Sequence, residues 1–225
     1  MQVDRITRVP KVQPENADAG LSAPSRGSGF KKVPRAKLPT RFGDFTIYGY
    51  RDSKTGEEAA ALVAGNPAAA GGAVLVRIHS QCLTGDVFAS NRCDCGDQLH
   101  EAMRLIQKAG RGILVYQLQE GRGIGLTNKI HAYELQDQGL DTVAANLELG
   151  FQADQREYRL PAQILKHLGA TRIRLLSNNP EKVLGLQKEG IQVEERVSLE
   201  ITPNSSTRSY LKVKKQKLGH LLSEV

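Results

Sequence analysis

Residues 73–96 read AVLVRIHSQCLTGDVFASNRCDCG, an apolar run that passes directly into a polar stretch containing cysteines. The apolar part, residues 73–80, is rich in β-branched residues and follows the turn signal Gly71-Gly72, which predicts a strand. Cys82 then lies in a loop that begins where this strand ends, and Cys93 and Cys95 follow shortly after it. We expect this loop to bring the three cysteines together.

Strand and helix patterns alternate along the rest of the chain. One helix carries Leu99, Met103 and Ile106 at helical spacing and ends near Gly110. The other predicted helices cover residues 124–138, 161–168, 179–190 and 210–222, and the predicted strands cover 42–50, 57–64, 73–80, 112–118, 172–176 and 191–199. This order predicts an α/β (mixed α+β) domain with a strand-rich N-terminal half, a mixed sheet with flanking helices and a zinc-binding loop.

The first 35 residues differ from the rest of the chain. They are basic, contain Pro10, Pro14 and Pro24 among Gly and Ser, and show no apolar period. Such a segment cannot bury enough apolar surface to offset the entropy lost on ordering. We expect a disordered basic tail over residues 1–35 and a folded domain over residues 36–225. The N-terminus has no signal-peptide pattern and no apolar run is long enough to cross a bilayer, so we expect a cytoplasmic protein without a membrane partner.

The net charge of +7 favours an anionic ligand, either nucleic acid or a phosphorylated metabolite. Aromatic residues make up 5% of the chain and Trp is absent, which disfavours a stacking surface for single strands. A zinc-stabilised nucleic-acid-binding protein would need a separate basic face. We therefore expect no nucleic-acid partner, with that class of protein as the alternative.

The spacing Cys82-x10-Cys93-x-Cys95 predicts a metal site. Three cysteines cannot all pair as disulfides, and clustered cysteines in a cytosolic chain indicate metal binding or catalysis. Water as the fourth ligand would make a zinc ion catalytic, because zinc lowers the pKa of bound water to about 7. His79 or His100 as the fourth ligand would make the site structural. Three cysteines buried as small apolar residues are the remaining alternative.

The loop Gln119-Glu-Gly-Arg-Gly-Ile-Gly-Leu126 follows a predicted strand and opens a predicted helix. Backbone N–H groups at a helix start can bind phosphate, and Arg122 adds a bidentate donor. The spacing matches neither the dinucleotide-binding fingerprint nor the Walker loop. A phosphate-binding loop and a plain tight turn both fit these residues.

Taken together, these segments resemble GTP cyclohydrolase II. The resemblance covers residues 36–222 in one order, with the first 35 residues outside it. It is carried by residues 77–80, 82–86, 92–96, 98–99, 119–122, 124–126, 128–130, 132–133, 135–139, 141–142, 145–146, 149–151, 154–156, 175–176, 178–180 and 218–222. Several independent motifs in one order are more specific than any one of them.

The resemblance implies zinc-dependent hydrolysis of GTP to 2,5-diamino-6-ribosylamino-4(3H)-pyrimidinone 5′-phosphate, formate and pyrophosphate, the first step of riboflavin biosynthesis. It also implies magnesium on the GTP phosphates and a homodimer. The family is often joined to a dihydroxybutanone-phosphate synthase domain, and we expect the monofunctional form because the unmatched N-terminal residues are too few for that domain. The implied zinc ligands are Cys82, Cys93 and Cys95.

The resemblance also implies roles for individual residues. The nucleophile that attacks the α-phosphate corresponds to Arg156, its proton acceptor to Asp154, and the residue that assists ring opening to Tyr133. The implied GTP contacts are Arg77, Ile78, His79, Ser80, Gln81, Gln98, Glu120, Gly121, Arg122, Thr142, Ser177 and Lys182.

The chemistry of the residues alone leaves alternatives open. A guanidinium is normally a cation, which favours Arg156 as a clamp on the α-phosphate, and a surface ion pair with Asp154 is also consistent. Without the family, Tyr133 is equally consistent with a helix-face aromatic residue. Lys182 lies just inside a predicted helix start, where its charge opposes the helix dipole unless an anion lies between them. Glu120 or Gln98 could face the N1–H and 2-amino edge of guanine.

Two positions depart from the family pattern. Gln81 replaces a frequent Glu and Ser177 replaces a usual Thr. Gln retains hydrogen-bonding reach without charge, and Ser retains the hydroxyl, so we expect altered affinity and intact chemistry. Some relatives of this fold stop at a formamidopyrimidine without releasing formate, and Tyr133 favours the full reaction here.

Overall fold

The computed structural model describes residue 30 and residues 32–152, 154–203 and 207–223. Strands and helices alternate through most of this length. The strands are β1 (Arg35–Thr40), β2 (Gly43–Arg51), β3 (Glu58–Ala64), β4 (Val74–Ser80), β5 (Gly112–Gln117), β6 (Arg172–Leu176) and β7 (Gln192–Val197). The helices are α1 (Leu83–Asp86), α2 (Cys95–Lys108), α3 (Leu126–Asp137), α4 (Thr142–Glu148), α5 (Arg159–His167), α6 (Pro180–Lys188) and α7 (Arg208–Leu218).

The strands form one seven-stranded sheet in the order β1-β2-β3-β5-β4-β6-β7. The pairs β1–β2, β2–β3 and β3–β5 are antiparallel, whereas β4–β5, β4–β6 and β6–β7 are parallel. The sheet therefore has an antiparallel half from the N-terminal part of the chain and a parallel half from the remainder. This confirms the predicted mixed sheet with a strand-rich N-terminal half.

Helices cover both faces of the sheet. On one face, α2 buries Ile106 in a cluster with Leu75 of β4, and on the other, α5 buries Ile164 in a cluster with Val76 of β4. Complete burial of one such side chain contributes roughly 1.5–3 kcal/mol. Strand β4 is buried on both faces because helices cover both. Within the described ranges, no helix combines the length and the apolar character needed to cross a membrane.

Side-chain caps fix the starts of two helices beside the parallel half. Asp141 Oδ1 accepts hydrogen bonds from the backbone N–H groups of Val143 and Ala144 at the start of α4, at 2.9 and 3.1 Å. Asn179 Oδ1 accepts from Glu181 N at 2.9 Å, and Pro180 occupies the first turn of α6. The predicted start of α6 is therefore confirmed.

The structure also differs from the predicted elements. Strand β1 and helices α1 and α4 were not predicted, because each is short and lacks a clear apolar period. Helix α7 ends before residue 222 because Gly219 adopts a left-handed conformation with φ 63°. Strand β1 begins at Arg35, and the ring of Phe30 packs against Tyr50, so ordered contacts begin before residue 36. Residues 1–29 and Lys31, where the tail was predicted, lie outside the described residues.

Candidate active site

The parallel half of the sheet positions the candidate site. Strand β4 ends at Ser80, β5 at Gln117 and β6 at Leu176, and the loops that follow meet at one edge because these strands run in the same direction. Strands β5 and β6 flank β4 on opposite sides, which is the arrangement of a switch point where open α/β sheets bind ligands. A cleft lies at this edge and is lined by residues from these loops and from the helices around them.

Three cysteine sulfurs form a cluster on the cleft wall, here called the sulfur cluster (Cys82, Cys93 and Cys95). Their ligand atoms all lie within 4.8 Å of one another, and Cys82 Sγ is 3.6 Å from Cys93 Sγ. Two thiolates bound to one tetrahedral zinc ion are about 3.8 Å apart, given a Zn–S bond of about 2.3 Å. The sulfur cluster therefore fits a zinc ion.

Two glycines allow the loops of the sulfur cluster to approach each other. A Cβ atom on Gly85 would lie 2.9 Å from Cys93 Sγ, and one on Gly96 would lie 2.3 Å from the Gly85 carbonyl oxygen. Both distances are too short for a side chain, so glycine is needed where α1 meets α2.

The thiols of the sulfur cluster differ in the direction in which their pKa values are shifted. Hydrogen bonds from Cys93 and Cys95, together with the charge of Lys129, hold the pKa of the Cys82 thiol well below its usual value. The interaction with Cys82 raises the pKa of Cys93 to about 11. These interactions favour a thiolate at Cys82, and binding of a divalent cation would release protons from the sulfur cluster.

A buried lysine connects the sulfur cluster to two of the predicted site residues. Lys129 Nζ donates hydrogen bonds to Cys82 Sγ at 3.2 Å, Glu120 Oε1 at 2.8 Å and Thr84 Oγ1 at 3.1 Å. Thr84 Oγ1 in turn lies 3.2 Å from the Tyr133 hydroxyl. Sequence reasoning missed Lys129. Its spacing of four from Tyr133, which puts both on one face of a helix, is the signal that could have identified it.

The two histidines considered as fourth zinc ligands have other partners. His79 Nε2 lies 3.0 Å from Asp86 Oδ1, while His100 lies 3.4 Å from Arg41 Nη2 and packs against the Phe42 ring. In the described part of the chain, the group able to hold a metal consists of the three cysteines. Three protein ligands form the set found in catalytic zinc sites, whereas structural zinc sites have four.

The cleft is also lined by cationic side chains, of which Arg77, Arg122, Arg156 and Lys182 are called the cationic group here. Burial, reinforced by the charges of Arg77 and Arg156, lowers the pKa of Lys182 well below its usual value. Burial also lowers the pKa of Arg77, to about 10. Because buried like charges are costly, these side chains favour an anionic ligand that would offset their repulsion.

Asp154 and Arg156 form a bidentate ion pair. Arg156 Nε donates to Asp154 Oδ1 at 2.8 Å, and Arg156 Nη2 contacts Asp154 Oδ2. Burial lowers the pKa of the Arg156 guanidinium, but its hydrogen bonds to Asp154 and the nearby Tyr158 outweigh this effect and raise that pKa overall. The arrangement keeps Arg156 cationic.

The glycine-rich loop has an unusual backbone conformation. Gly121 and Arg122 both lie in the left-handed region, with φ of 62° and 63°. Such a conformation costs a non-glycine residue energy and is concentrated at functional sites. The Arg122 carbonyl accepts from Gln155 N at 3.0 Å, which connects this loop to the segment that carries Asp154 and Arg156. Among the described residues, Arg122 Nη1 is buried without a hydrogen-bond partner.

The cleft brings together every predicted site residue except Ile78 and Asp154. The Ile78 side chain is fully buried in the core, and its carbonyl accepts from Lys182 Nζ at 2.7 Å. Asp154 is connected to the cleft through its ion pair with Arg156. On the cleft wall, Ser177 Oγ accepts a hydrogen bond from Asn179 N at 3.1 Å. The predicted residues on the cleft wall are Arg77, His79, Ser80, Gln81, Cys82, Cys93, Cys95, Gln98, Glu120, Gly121, Arg122, Tyr133, Thr142, Arg156, Ser177 and Lys182.

Other residues on the cleft wall were not predicted. They include Tyr210 and Lys214 of α7 and His220 after it. The sequence predicted a helix in this region but offered no spacing that connected it to the cysteines. Long-range packing brings these residues to the cleft.

The fold and the site together define an α/β protein with a cleft at the strand ends, whose wall carries a group of cysteines able to hold a metal ion and a group of cationic side chains. The family model described as GTP cyclohydrolase II matches residues 31–198. The chain therefore belongs to the GTP cyclohydrolase II family, which confirms the resemblance found in its sequence motifs.

Relatives with high identity carry the name riboflavin biosynthesis protein RibBA. The relative from Chlorobium phaeovibrioides is 51% identical over 193 residues, which cover 86% of this chain and 47% of that protein. The relative from Bacillus cereus is 55% identical over 186 residues, which cover 83% of this chain and 47% of that protein. The chain thus spans about half the length of the curated relatives it matches.

Proposed function

We propose that this chain is a zinc-dependent GTP cyclohydrolase II, which converts GTP to the diaminopyrimidinone ribotide with release of formate and pyrophosphate in the first step of riboflavin biosynthesis. The observation that carries the proposal is the shared cleft, which both the sulfur cluster and the cationic group line. The reaction of GTP needs both groups, because the purine ring is opened and the triphosphate is cleaved.

The sulfur cluster and its neighbours would act on the purine. Cys82, Cys93 and Cys95 would hold zinc, which supplies a Lewis acid and activates water near neutral pH. Burial raises the pKa of Tyr133, which keeps the phenol protonated so that its O–H can donate a proton to a purine nitrogen as the ring opens. Glu120 is fixed beside the sulfurs, because its Oε2 accepts from Leu83 N at 2.7 Å.

Gln98 and Glu120 differ in their capacity to recognise guanine. The Gln98 amide accepts from Arg77 Nη2 at 2.7 Å and donates to Asp94 Oδ2 at 2.5 Å. It retains one N–H and one lone pair, which match the O6 acceptor and the N1–H donor of guanine. Glu120 already accepts from Lys129, Gly121 and Leu83. We therefore assign base recognition to Gln98 and the positioning of the reacting atoms to Glu120.

The cationic group would bind the triphosphate with its magnesium ion. Arg77 and Lys182 are buried, and Arg156 is held in a fixed orientation by Asp154. A cationic guanidinium stabilises charge that develops on the α-phosphate, so we assign Arg156 the role of clamp. A covalent phosphoryl–arginine adduct detected by mass spectrometry would instead establish Arg156 as the nucleophile.

The proposed function is tested by incubating the purified chain with GTP, zinc and magnesium and measuring formate and pyrophosphate. We expect one formate for each GTP consumed, and no formate with ATP as the control substrate. Absence of turnover with both metals present would contradict the proposal. A formamidopyrimidine without formate would establish the shorter reaction.

We also propose that the chain acts as a homodimer in the cytoplasm, with GTP and no nucleic acid or membrane as its partner. The exposed apolar side chains Val87 and Phe88, 65% and 68% accessible, support a protein contact near the cleft. The three free thiols suit a reducing compartment. Light scattering of the purified chain tests the dimer, and a monomer at micromolar concentration would contradict it.

A further inference from the structure

The C-terminal segment, residues 207–223, contributes to the cleft although it lies beyond the region matched by the family model. That match ends at residue 198, yet Tyr210, Lys214 and His220 all line the cleft. The segment consists of α7 and the turn that follows it.

Contacts from three parts of the segment hold it against the parallel half of the fold. Leu211 is 2% exposed, and Lys217 forms an ion pair with Asp141, the cap of α4, at 2.5 Å. In the turn after α7, Leu221 N donates to the Asn178 carbonyl at 2.9 Å. Asn178 belongs to the loop after β6, so the turn is fixed on one of the loops that form the cleft.

Lys214 contacts the residue between two of the proposed zinc ligands. Its Nζ lies 2.8 Å from Asp94 Oδ1, with side-chain exposures of 10% and 4%. The other Asp94 oxygen accepts from Gln98 Nε2 at 2.5 Å. A buried carboxylate that loses its cation is strongly destabilised. Lys214 therefore stabilises the buried carboxylate that lies between Cys93 and Cys95.

His220 lies among the cations of the cleft. Its backbone N–H donates to the Lys214 carbonyl at 3.1 Å, and its side chain lines the same cleft as Arg122, Arg156 and Lys182. Burial and these positive charges lower the pKa of His220 to about 3. A neutral imidazole can still donate an N–H hydrogen bond to a phosphate oxygen, and it adds no further charge to a crowded cationic site.

We propose that His220 binds a phosphate oxygen of the substrate and that Lys214 is a positioning residue for the loop that carries Cys93 and Cys95. Residues 207–223 are then a functional wall of the active site. The inference rests on the proposed function in one respect, because it takes the anion of the cleft to be a phosphate chain.

The role of His220 is tested with inorganic pyrophosphate as the probe, titrated calorimetrically into the zinc-loaded chain. His220→Ala should weaken binding about tenfold through loss of one hydrogen bond to a charged group. His220→Gln retains a neutral donor and should keep most of the affinity. The control is His131→Ala, which removes an exposed histidine of α3 outside the cleft. Unchanged affinity in His220→Ala, an equal loss in His131→Ala, or a wild type that does not bind pyrophosphate would overturn this role.

The role of Lys214 is tested by the zinc affinity, measured by competition with a chromophoric chelator. Lys214→Met should lower it about 10- to 100-fold, the usual effect of removing a group that orients metal ligands. Lys214→Arg keeps the positive charge and should retain most of the wild-type zinc affinity. Lys212→Met is the matched control, because Lys212 is an exposed residue of the same helix. Zinc binding that stays at the wild-type level in a folded Lys214→Met variant, or an equal loss in Lys212→Met, would overturn this role.

Neither measurement requires turnover, so failure of this inference can be distinguished from failure of the proposed function. A chain that shows both contrasts but releases no formate from GTP would contradict the proposed function and support the inference. A chain that releases formate but shows neither contrast would support the proposed function and overturn the inference.

Discussion

The sulfur cluster and the cationic group share one cleft but differ in how their charges are balanced. Beside the sulfur cluster, Lys129 is paired with Glu120 and Lys214 with Asp94. In the cationic group, Lys182 donates to the neutral Ile78 carbonyl instead of a carboxylate. Within the described ranges, buried nitrogens of Arg77 and Arg122 have no hydrogen-bond partner.

Because of this difference in charge balance, the sulfur cluster and the cationic group favour ligands of opposite charge. Thiolates attract a cation, and their neighbours are already paired, so a metal can bind there before substrate does. Arg77 and Lys182 repel each other until an anion arrives, whereas Arg156 is already paired with Asp154. The two parts should therefore respond separately to substitution.

The largest effect is expected at the cationic group. Arg156→Lys removes the bidentate fork, and we expect the rate of pyrophosphate release from GTP to fall about 10³-fold because a single ammonium cannot reproduce that geometry. The zinc content should stay at the wild-type level. The control is Arg174→Lys, an exposed position on β6. A variant that loses zinc together with activity would contradict the separation of the two parts.

A smaller effect is expected beside the sulfur cluster. Tyr133→Phe removes the proposed proton donor, so formate release should fall about 10²-fold, within the usual range for a general acid. Pyrophosphate release should be less affected, and a formamidopyrimidine should accumulate, as detected by chromatography. Tyr48→Phe on β2 is the control. Equal losses of formate and pyrophosphate would indicate that Tyr133 serves both parts of the cleft.

The close approach of α1 and α2 predicts a further effect on the metal. Gly85→Ala places a methyl group 2.9 Å from Cys93 Sγ, so the sulfurs must shift, and we expect about tenfold weaker zinc binding. In the control Gly49→Ala, the added Cβ meets a single atom among the described residues, Pro34 Cγ at 3.6 Å. Competition with a chelator measures both. Unaltered zinc affinity in Gly85→Ala would show that the close approach of α1 and α2 does not determine the positions of the three sulfurs.

The smallest effect is expected in the number of protons that the chain takes up when pyrophosphate binds. Burial and neighbouring cations lower the pKa of Lys182, and a bound anion offsets both, which raises that pKa again. Pyrophosphate binding should therefore take up as much as about one proton, and affinity should fall as pH rises through the pKa of the complex. Calorimetry in buffers of different ionisation enthalpy measures the uptake. Lys182→Met should abolish it, whereas Lys188→Met, an exposed change on α6, should leave it unaltered.

Local patterns predicted the parallel half of the sheet and the sulfur cluster well. The apolar run of β4 and the Asn179-Pro180 start of α6 each carry their signal in adjacent residues. The cysteine spacing likewise predicted a cluster that the structure brings within 4.8 Å. Strand β1 was not predicted because it is an edge strand with an exposed face, so its sequence shows little hydrophobic pattern.

Other features of the site could not be predicted because they depend on contacts between distant segments. Lys214 meets Asp94 across 120 positions of sequence, and Lys182 meets the Ile78 carbonyl across 104. No spacing rule spans such separations. The charge balance of the two parts of the cleft likewise follows from burial, which composition does not reveal.

The central claim is that three thiolates hold one metal ion in this cleft, and zinc per chain measured in the wild type and in Cys93→Ser tests it most directly. We predict about one zinc ion per wild-type chain and a large loss in the variant, because two sulfurs remain of the three protein ligands that a catalytic zinc site needs. A wild type without zinc, or a Cys93→Ser variant that keeps the wild-type amount, would contradict the account.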